Sequence, residues 1–170
     1  MPQLRRCVFM DRDGVINRKP PPGEYIRTWK EFTFIPAAVD WIRLFNALDL
    51  LVIVVTNQRG VALGRVAHAE LQRIHDRMRA HLGEAGARID DIFTCPHEKD
   101  TCECRKPKPG LVLDAARKWN ISISDSLMIG DSASDRALAI SCGLRFVPVA
   151  EGQIIDDLVL TRAPGELGDR

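Results

Sequence analysis

Two aspartates two positions apart, Asp11 and Asp13, follow the short apolar run Cys7-Val8-Phe9-Met10 and precede Gly14. At the end of a strand that spacing points both carboxylates the same way. Carboxylates held together repel, so they call for a cation or a shared proton. Magnesium suits them, because it prefers oxygen ligands and is held by one or two carboxylates plus substrate phosphate. Asp131, directly after Leu127-Met128-Ile129-Gly130, offers a further carboxylate. In isolation Asp-x-Asp-Gly also reads as a turn or a calcium loop, but the segment after Gly14 lacks the later oxygen ligands and glutamate of an EF-hand.

Three further groups could act on an anion. Thr56 brings a hydroxyl, and the loop behind Thr56-Asn57-Gln58-Arg59-Gly60 brings backbone N–H groups; both are donors suited to phosphate oxygens. Thr-Asn after a strand is also a plain turn. Lys106 stands between Arg105 and Pro107, at the mouth of a helix opened by Pro109. A fixed cation near a helix N-terminus is a good place to hold a phosphoryl group, although without the aspartates it reads as a solvated basic turn. Cys95-Pro96-His97 and Cys102-Glu103-Cys104 then crowd three thiols and one imidazole into one segment, 95–104. Cys₃His is the chemistry of structural zinc, and four protein ligands close the site to catalysis. Such a loop would rigidify the approach to Arg105 and Lys106. Cys7 and Cys142 read as small core residues.

Elements that could position these groups alternate along the chain, as in an α/β fold with a mainly parallel sheet. Cys7 to Met10 is the first strand. Residues 17–34, rich in Pro, Gly and charge, read as a loop pinned by Tyr25 and Trp29. Pro36 suits the first turn of a helix with Val39, Ile42, Leu44, Phe45 and Leu48 as its buried face. Leu50-Leu51-Val52-Ile53-Val54-Val55 is continuous and β-branched, as a central strand buried on both faces should be. A helix over about 66–82 carries the stripe Ala67, Leu71, Ile74, Met78 and Leu82, with His68, His75 and His81 read as solvated or rim histidines. Residues 89–94 form a third strand, 111–119 a helix, 127–129 a strand ending at Gly130-Asp131, and 133–142 a helix capped by Gly143. Residues 144–149 form a last strand. The tail 151–170 is expected to fray from about Arg162, with Leu158-Val159-Leu160 as a possible edge strand.

The bulk numbers fit one domain over residues 1–170, with its core at about 7–150. The chain has 170 residues, 45% hydrophobic and 28% charged, ordinary for a globular protein. A formal net charge of +1 provides no global field for nucleic acid or an anionic membrane, so any basic function must be local. No apolar run approaches the roughly 20 residues that span a bilayer. The N-terminal basic stretch leads into too short an apolar run for a signal peptide. Five cysteines, an odd number, argue against a disulfide framework. The expectation is a cytoplasmic, monomeric enzyme.

Asp-x-Asp-Gly, Thr-Asn, Lys-Pro and Gly-Asp-x-x-x-Asp, in that order from Asp11 to Asp135, resemble the haloacid dehalogenase superfamily of phosphatases. The resemblance spans Cys7 to about Val149 and implies a three-layer, Rossmann-like sheet with helices on both faces. It also implies roles. Asp11 looks like the nucleophile and Asp13 like the general acid and base. Thr56 with the backbone of Asn57 looks like the phosphate cradle, and Lys106 like the cation that steadies Asp11 and the phosphoryl group. Asp131 looks like a magnesium ligand, with the Asp11 carboxylate and the Asp13 main-chain carbonyl, and Asp135 like a supporting carboxylate. Cys-Pro-His followed by Cys-x-Cys-Arg-Lys-Pro resembles the zinc-containing branch, which holds heptose 1,7-bisphosphate and histidinol-phosphate phosphatases. Phe9 to Asn17 and Val55 to Gln58 look like the heptose bisphosphatase pattern, and imply a sugar bisphosphate as substrate. Two positions depart from it. Ser132 stands where a lysine or arginine is common, and Arg59 where a serine is usual. Arg59 could restore the cation missing at Ser132. The gaps between motifs leave no room for a separate cap domain, so specificity falls to the loops. Tyr25, Arg59 and Arg105 are the candidate substrate contacts. The alternatives are a phosphatase for histidinol phosphate or another small phosphate ester, and a non-catalytic, zinc-stabilised binding module.

Overall fold

The computed structural model describes residues 4–150. Five strands, β1 (Cys7–Met10), β2 (Leu51–Asn57), β3 (Asp91–Cys95), β4 (Leu127–Gly130) and β5 (Arg145–Pro148), form one sheet in the order β3-β2-β1-β4-β5. Every pairing is parallel, with Val8 beside both Val52 and Leu127. Four helices, α1 (Pro36–Ala47), α2 (His68–Glu84), α3 (Gly110–Trp119) and α4 (Ala133–Cys142), make the crossovers.

Side-chain alternation sorts the core into two layers. Val8 and Met10 of β1, with Val52 and Val54 of β2, pack with Ile42 and Phe45 of α1 and Ile74 and Met78 of α2. Cys7 and Phe9, with Leu51, Ile53 and Val55, pack on the other face with Leu111 and Val112 of α3 and Leu138 of α4. A strand buried on both faces must be apolar throughout, which is why β2 is buried from Leu51 to Thr56. This is the three-layer parallel α/β fold that the sequence implies. From β1 the chain builds outward to β2 and β3, then returns to β4 on the other side of β1. The carboxyl ends of β1 and β4 therefore flank the point where strand order reverses, the usual binding crevice of such sheets.

Several expectations change in detail. The buried face of α1 is Ala38, Trp41, Ile42 and Phe45. Pro36 opens the helix as expected, but Trp41 draws the stripe round, leaving Val39 and Leu44 half-buried and Leu48, beyond the last turn, exposed. Helix α2 starts at His68, with Ala67 as its exposed N-cap. His68 and His81 are exposed, but His75 is buried in the apolar stripe. Cys7 is buried and Cys142 only half-buried. The loop 17–34 includes a 3-10 turn at Trp29–Glu31, and Trp29 stacks on Phe32 with ring centroids 5.0 Å apart. Helix α4 carries a capping box, Ser132 with Asp135, and ends on Gly143. The suggested strand 158–160 and the fraying from Arg162 lie outside the described residues.

Candidate active site

Asp11 follows β1 directly, and its backbone N–H donates to Ile129 O at 3.0 Å, extending the β1–β4 pairing by one residue. Asp131 follows β4 in the same way. Parallel pairing thus delivers one carboxylate from each side of the crevice. Asp135 comes from the first turn of α4 and is fully buried. Carboxylate oxygens of Asp11, Asp131 and Asp135 lie within 4.8 Å of one another.

The cluster survives because Lys106 is buried inside it. Its Nζ is 2.8 Å from Asp11 Oδ1 and 2.7 Å from Asp135 Oδ1, and it donates to Val55 O at 2.9 Å. Three acceptors match the three protons of an ammonium. Burial alone would drive off the Lys106 proton, but Asp11 and Asp135 reverse that and hold its pKa above the usual lysine value. Asp11 is left at a disadvantage. Burial, reinforced by the charges of Asp135 and Asp13, outweighs Lys106 and raises its pKa to about 7. Asp135 Oδ2 is taken up by the Ser132 hydroxyl and backbone N–H.

Asp131 Oδ1 is buried with no hydrogen-bond partner, and Oδ2 is 2.7 Å from Lys19 Nζ. A buried carboxylate oxygen without a donor is costly, and beside the carboxylate of Asp11 it is a natural place for a cation. The donor set, all carboxylate oxygen, fits magnesium. Gly14 makes room for this arrangement. Its φ is +92°, and a Cβ there would stand 2.2 Å from Asp131 Oδ2. A Cβ on Gly130 would likewise stand 2.3 Å from Asp135 Cβ.

Asp13 does not join the Asp11–Asp131–Asp135 cluster through its side chain. Its Oδ1 accepts from Arg12 Nε at 3.1 Å, Arg12 NH2 at 2.7 Å and Asn17 Nδ2 at 2.9 Å, and its Oδ2 from Gln58 Nε2 at 3.0 Å. Burial would raise its pKa, but the Arg12 charge and these donors hold it below the ordinary value. Arg12 is itself wholly buried, and its NH1 is 3.2 Å from His75 Nε2. Burial and the Arg12 charge push the His75 pKa down to about 3, so the ring is neutral and can accept. Gln58 Nε2 also donates to Thr56 Oγ1 at 2.9 Å, tying Thr56 to Asp13.

The other candidates fall into two groups. The Asn57 amide clamps the backbone of Lys106, donating to its O at 3.1 Å and accepting from its N–H at 3.0 Å. That leaves the Asn57 backbone, not its side chain, to meet a ligand. Arg59 donates to Glu98 in the Cys/His loop, so it is not a free cation at the site. Arg105 NH1 is buried without a partner. Tyr25 lies against Gly60. Arg12, Gln58, His75 and Lys19 are the residues that motif reading passed over. For His75 the signal was present, since it falls in the buried stripe with Leu71, Ile74, Met78 and Leu82.

The Cys/His loop leaves β3 and leads to α3. Cys95 Sγ is 3.6 Å from both His97 Nδ1 and Cys102 Sγ, Cys104 Sγ is 3.5 Å from Cys102 Sγ and 3.2 Å from His97 Nδ1. Zinc–ligand bonds of about 2.0–2.3 Å give tetrahedral edges of about 3.5–3.8 Å, so the set fits zinc. The thiols are unlike. Burial is the first influence on each, but donors led by the Arg105 N–H lower Cys102 to about 6, while burial and the neighbouring sulfurs raise Cys104 to about 12.

Known proteins with related chains share this fold. The HAD-hydrolase-like family model matches residues 103–165. A D-glycero-alpha-D-manno-heptose-1,7-bisphosphate 7-phosphatase from Mycobacterium bovis is 42% identical over 78% of this chain and 70% of its own. A D-glycero-beta-D-manno-heptose-1,7-bisphosphate 7-phosphatase from Rhodopseudomonas palustris is 39% identical over 91% of this chain and 88% of its own. The crystal structure of a D,D-heptose 1,7-bisphosphate phosphatase from B. bronchiseptica, complexed with magnesium and phosphate, superposes with a TM-score of 0.78 at 34% identity, covering 83% of this chain and 78% of that one. No helix among the described residues is long and apolar enough to cross a membrane. Similarity of this degree along most of its length, on the same sheet, shows that the chain belongs to the haloacid dehalogenase-like hydrolases and is a phosphatase.

Proposed function

We propose that this phosphatase removes one phosphate from a heptose 1,7-bisphosphate through an aspartyl-phosphate on Asp11. The observation that carries the reading is the Asp11 carboxylate, buried at the strand-order reversal against Lys106, with the unpartnered Oδ1 of Asp131 close by. The substrate follows from the relatives, named for both anomers of that sugar.

In the first step an Asp11 oxygen attacks phosphorus and the bond from phosphorus to the sugar oxygen breaks. Asp13 gives that oxygen its proton. In the second step Asp13 takes a proton from water, the water oxygen attacks phosphorus, and Asp11 is released with inorganic phosphate. Its contacts with Arg12, Asn17 and Gln58 keep Asp13 ionised, which suits the second step. A phosphate brought beside it raises its proton affinity for the first. Thr56 Oγ1 and the Asn57 backbone N–H bind the phosphoryl oxygens, and Lys106 screens Asp11. Arg105 is assigned to the substrate's approach. Asp11, Asp131 and the Asp13 main-chain carbonyl would hold magnesium, which would supply the charge neutralisation that lets an anionic nucleophile meet an anionic ester.

The test is phosphate release with magnesium and with chelator, across both anomers of heptose 1,7-bisphosphate, histidinol phosphate, fructose 1,6-bisphosphate and an aryl phosphate. Preference for a heptose bisphosphate, lost with chelator, is expected. Preference for histidinol phosphate would keep the chemistry and replace the substrate. Absence of release from every ester would point to a binding module.

Zinc at Cys95, His97, Cys102 and Cys104 is assigned to stability. Cys102→Ser should leave the protein with little zinc after dialysis and lower Tm by roughly 5–10 °C, at about 2–4 °C per kcal/mol for this size. Full zinc occupancy in that variant, measured by metal analysis, would refute the ligand set.

A further inference from the structure

His75 is a buried polar group that no step above uses. It lies in the apolar stripe of α2 with Leu71, Ile74, Met78 and Leu82, where packing alone would favour another aliphatic residue. A buried imidazole costs free energy unless it is hydrogen-bonded. Its partner is Arg12 NH1, 3.2 Å from Nε2. A guanidinium has donors and no acceptor, so Nε2 presents its lone pair and the proton of the neutral ring sits on Nδ1.

Arg12 is wholly buried and held on three sides. Nε and NH2 both donate to Asp13 Oδ1, at 3.1 and 2.7 Å. The Phe32 ring centroid lies 6.0 Å from Cζ. NH1 has His75 as its acceptor, and no other among the described residues. The two oxygens of Asp13 are left unequal. Oδ1 takes three donors, two from Arg12 and one from Asn17, whereas Oδ2 takes one, from Gln58. Oδ1 is saturated, so the proton that Asp13 gives and takes moves at Oδ2. Without His75, NH1 would be a buried donor unmet. Rotation toward another acceptor would relieve it and would carry the Asp13 carboxylate along.

We propose that His75 is a positioning residue for proton transfer at Asp13: by accepting from Arg12 NH1 it fixes the guanidinium, and the guanidinium fixes the carboxylate with Oδ2 left for the proton. This deepens, and rests on, the reading of Asp13 as acid and base. As the Asp11 oxygen bonds to phosphorus, the bond from phosphorus to the ester oxygen breaks. Its electron pair stays on the ester oxygen, and the proton on Asp13 Oδ2 goes to that oxygen. A sugar alkoxide needs the proton; a nitrophenolate, a far weaker base, leaves without it. Misplacement of Asp13 therefore costs the two esters unequally, whereas a general loosening of the fold costs both alike.

The experiment measures kcat/KM for heptose 1,7-bisphosphate and for p-nitrophenyl phosphate at saturating magnesium. The proteins are wild type, His75→Leu, His75→Asn, His75→Gln, Asp13→Asn, and His75→Leu combined with Asp13→Asn. His75→Leu is expected to lose about 10–100-fold on the sugar ester, a part of what a general acid supplies, and at most about 3-fold on the aryl ester. His75→Asn, too short to reach NH1, should behave alike and carries the comparison if the leucine variant does not fold. His75→Gln, whose Oε1 stands near the place of Nε2, should recover most of the loss. On top of Asp13→Asn, His75→Leu should add less than about 3-fold, because it acts through the carboxylate already removed. Equal losses on both esters, or none, while Asp13→Asn loses unequally, would overturn the role of His75 and leave that of Asp13 standing. Additive losses in the double variant would overturn it too. An Asp13→Asn protein that loses equally on both esters would remove the acid-base reading and the role of His75 together.

Discussion

Asp11→Asn is expected to reduce turnover by about 10⁴-fold or more, the scale for losing a covalent nucleophile. The fold and zinc content should be unchanged. Asparagine keeps the shape, so the Ile129 contact to the Asp11 backbone N–H remains. It removes a charge that the fold holds at a cost. The Asp11 pKa is 3.8 ordinarily and about 7 here, chiefly through burial. A raised carboxyl pKa contributes stability below the unfolded value, and that contribution is lost as pH rises through the folded value. In magnesium-free protein, wild type should therefore lose stability relative to Asp11→Asn between about pH 4 and pH 7. Added magnesium should narrow the gap, since it favours the ionised carboxylate. Thermal melts at pH 5 and pH 8, with and without magnesium, read this directly. Substantial turnover in Asp11→Asn would refute the aspartyl-phosphate route, and a gap that does not widen with pH would refute the account of its burial.

Lys106→Met is expected to damage stability and catalysis together. It leaves Asp11 and Asp135 buried side by side without a counter-charge, and Val55 O without its donor. Breaking a buried ion pair on one side costs about 3–5 kcal/mol, hence a fall in Tm of roughly 10 °C. Loss of a preorganised cation at the phosphoryl group should reduce kcat by about 10²–10³-fold. Lys106→Arg should rescue poorly, because the fully enclosed site is shaped for a compact ammonium with three acceptors. A double variant, Lys106→Met with Asp135→Asn, separates the two losses. Stability should partly return and turnover should not. A single variant that melts within a degree of wild type and turns over normally would contradict both assignments.

Much of this arrangement is legible in the sequence because parallel strands buried on both faces must be apolar. Their ends are then marked by the first polar residues, Asp11 after Met10, Thr56 after Val55 and Asp131 after Gly130. The Cys/His set is legible for a different reason, since four soft ligands fall in one segment. What stays hidden is mostly what surrounds Asp13. Alternation sends Arg12 into the core, where a lone guanidinium would be prohibitive. Asp13 is its neighbour in the chain, but only the fold brings His75 to it, across 63 residues. The paired role of Asn57 is hidden likewise, because its partner is the backbone of Lys106. Lys19 lies in a loop with no periodicity to betray where its ammonium reaches. The shift of the α1 face shows the limit of stripe reading. A large Trp41 settles which side is buried better than the spacing of smaller residues does.

Gly14 and Gly130 were described as making room for Asp131 and Asp135. Their crowding also divides the molecule by how freely it can change. At these two positions even a methyl group collides with a carboxylate, so the reacting centre tolerates almost no drift. Around Gly23 and Gly64 there is open space, and their exposed neighbours Pro22, Glu24 and Arg65 are the positions open to exchange, while φ of +83° and +65° holds the two glycines themselves in place. An enzyme partitioned in this way offers laboratory selection its exposed loop residues as the place to change, while the machinery that cuts the ester is inherited intact.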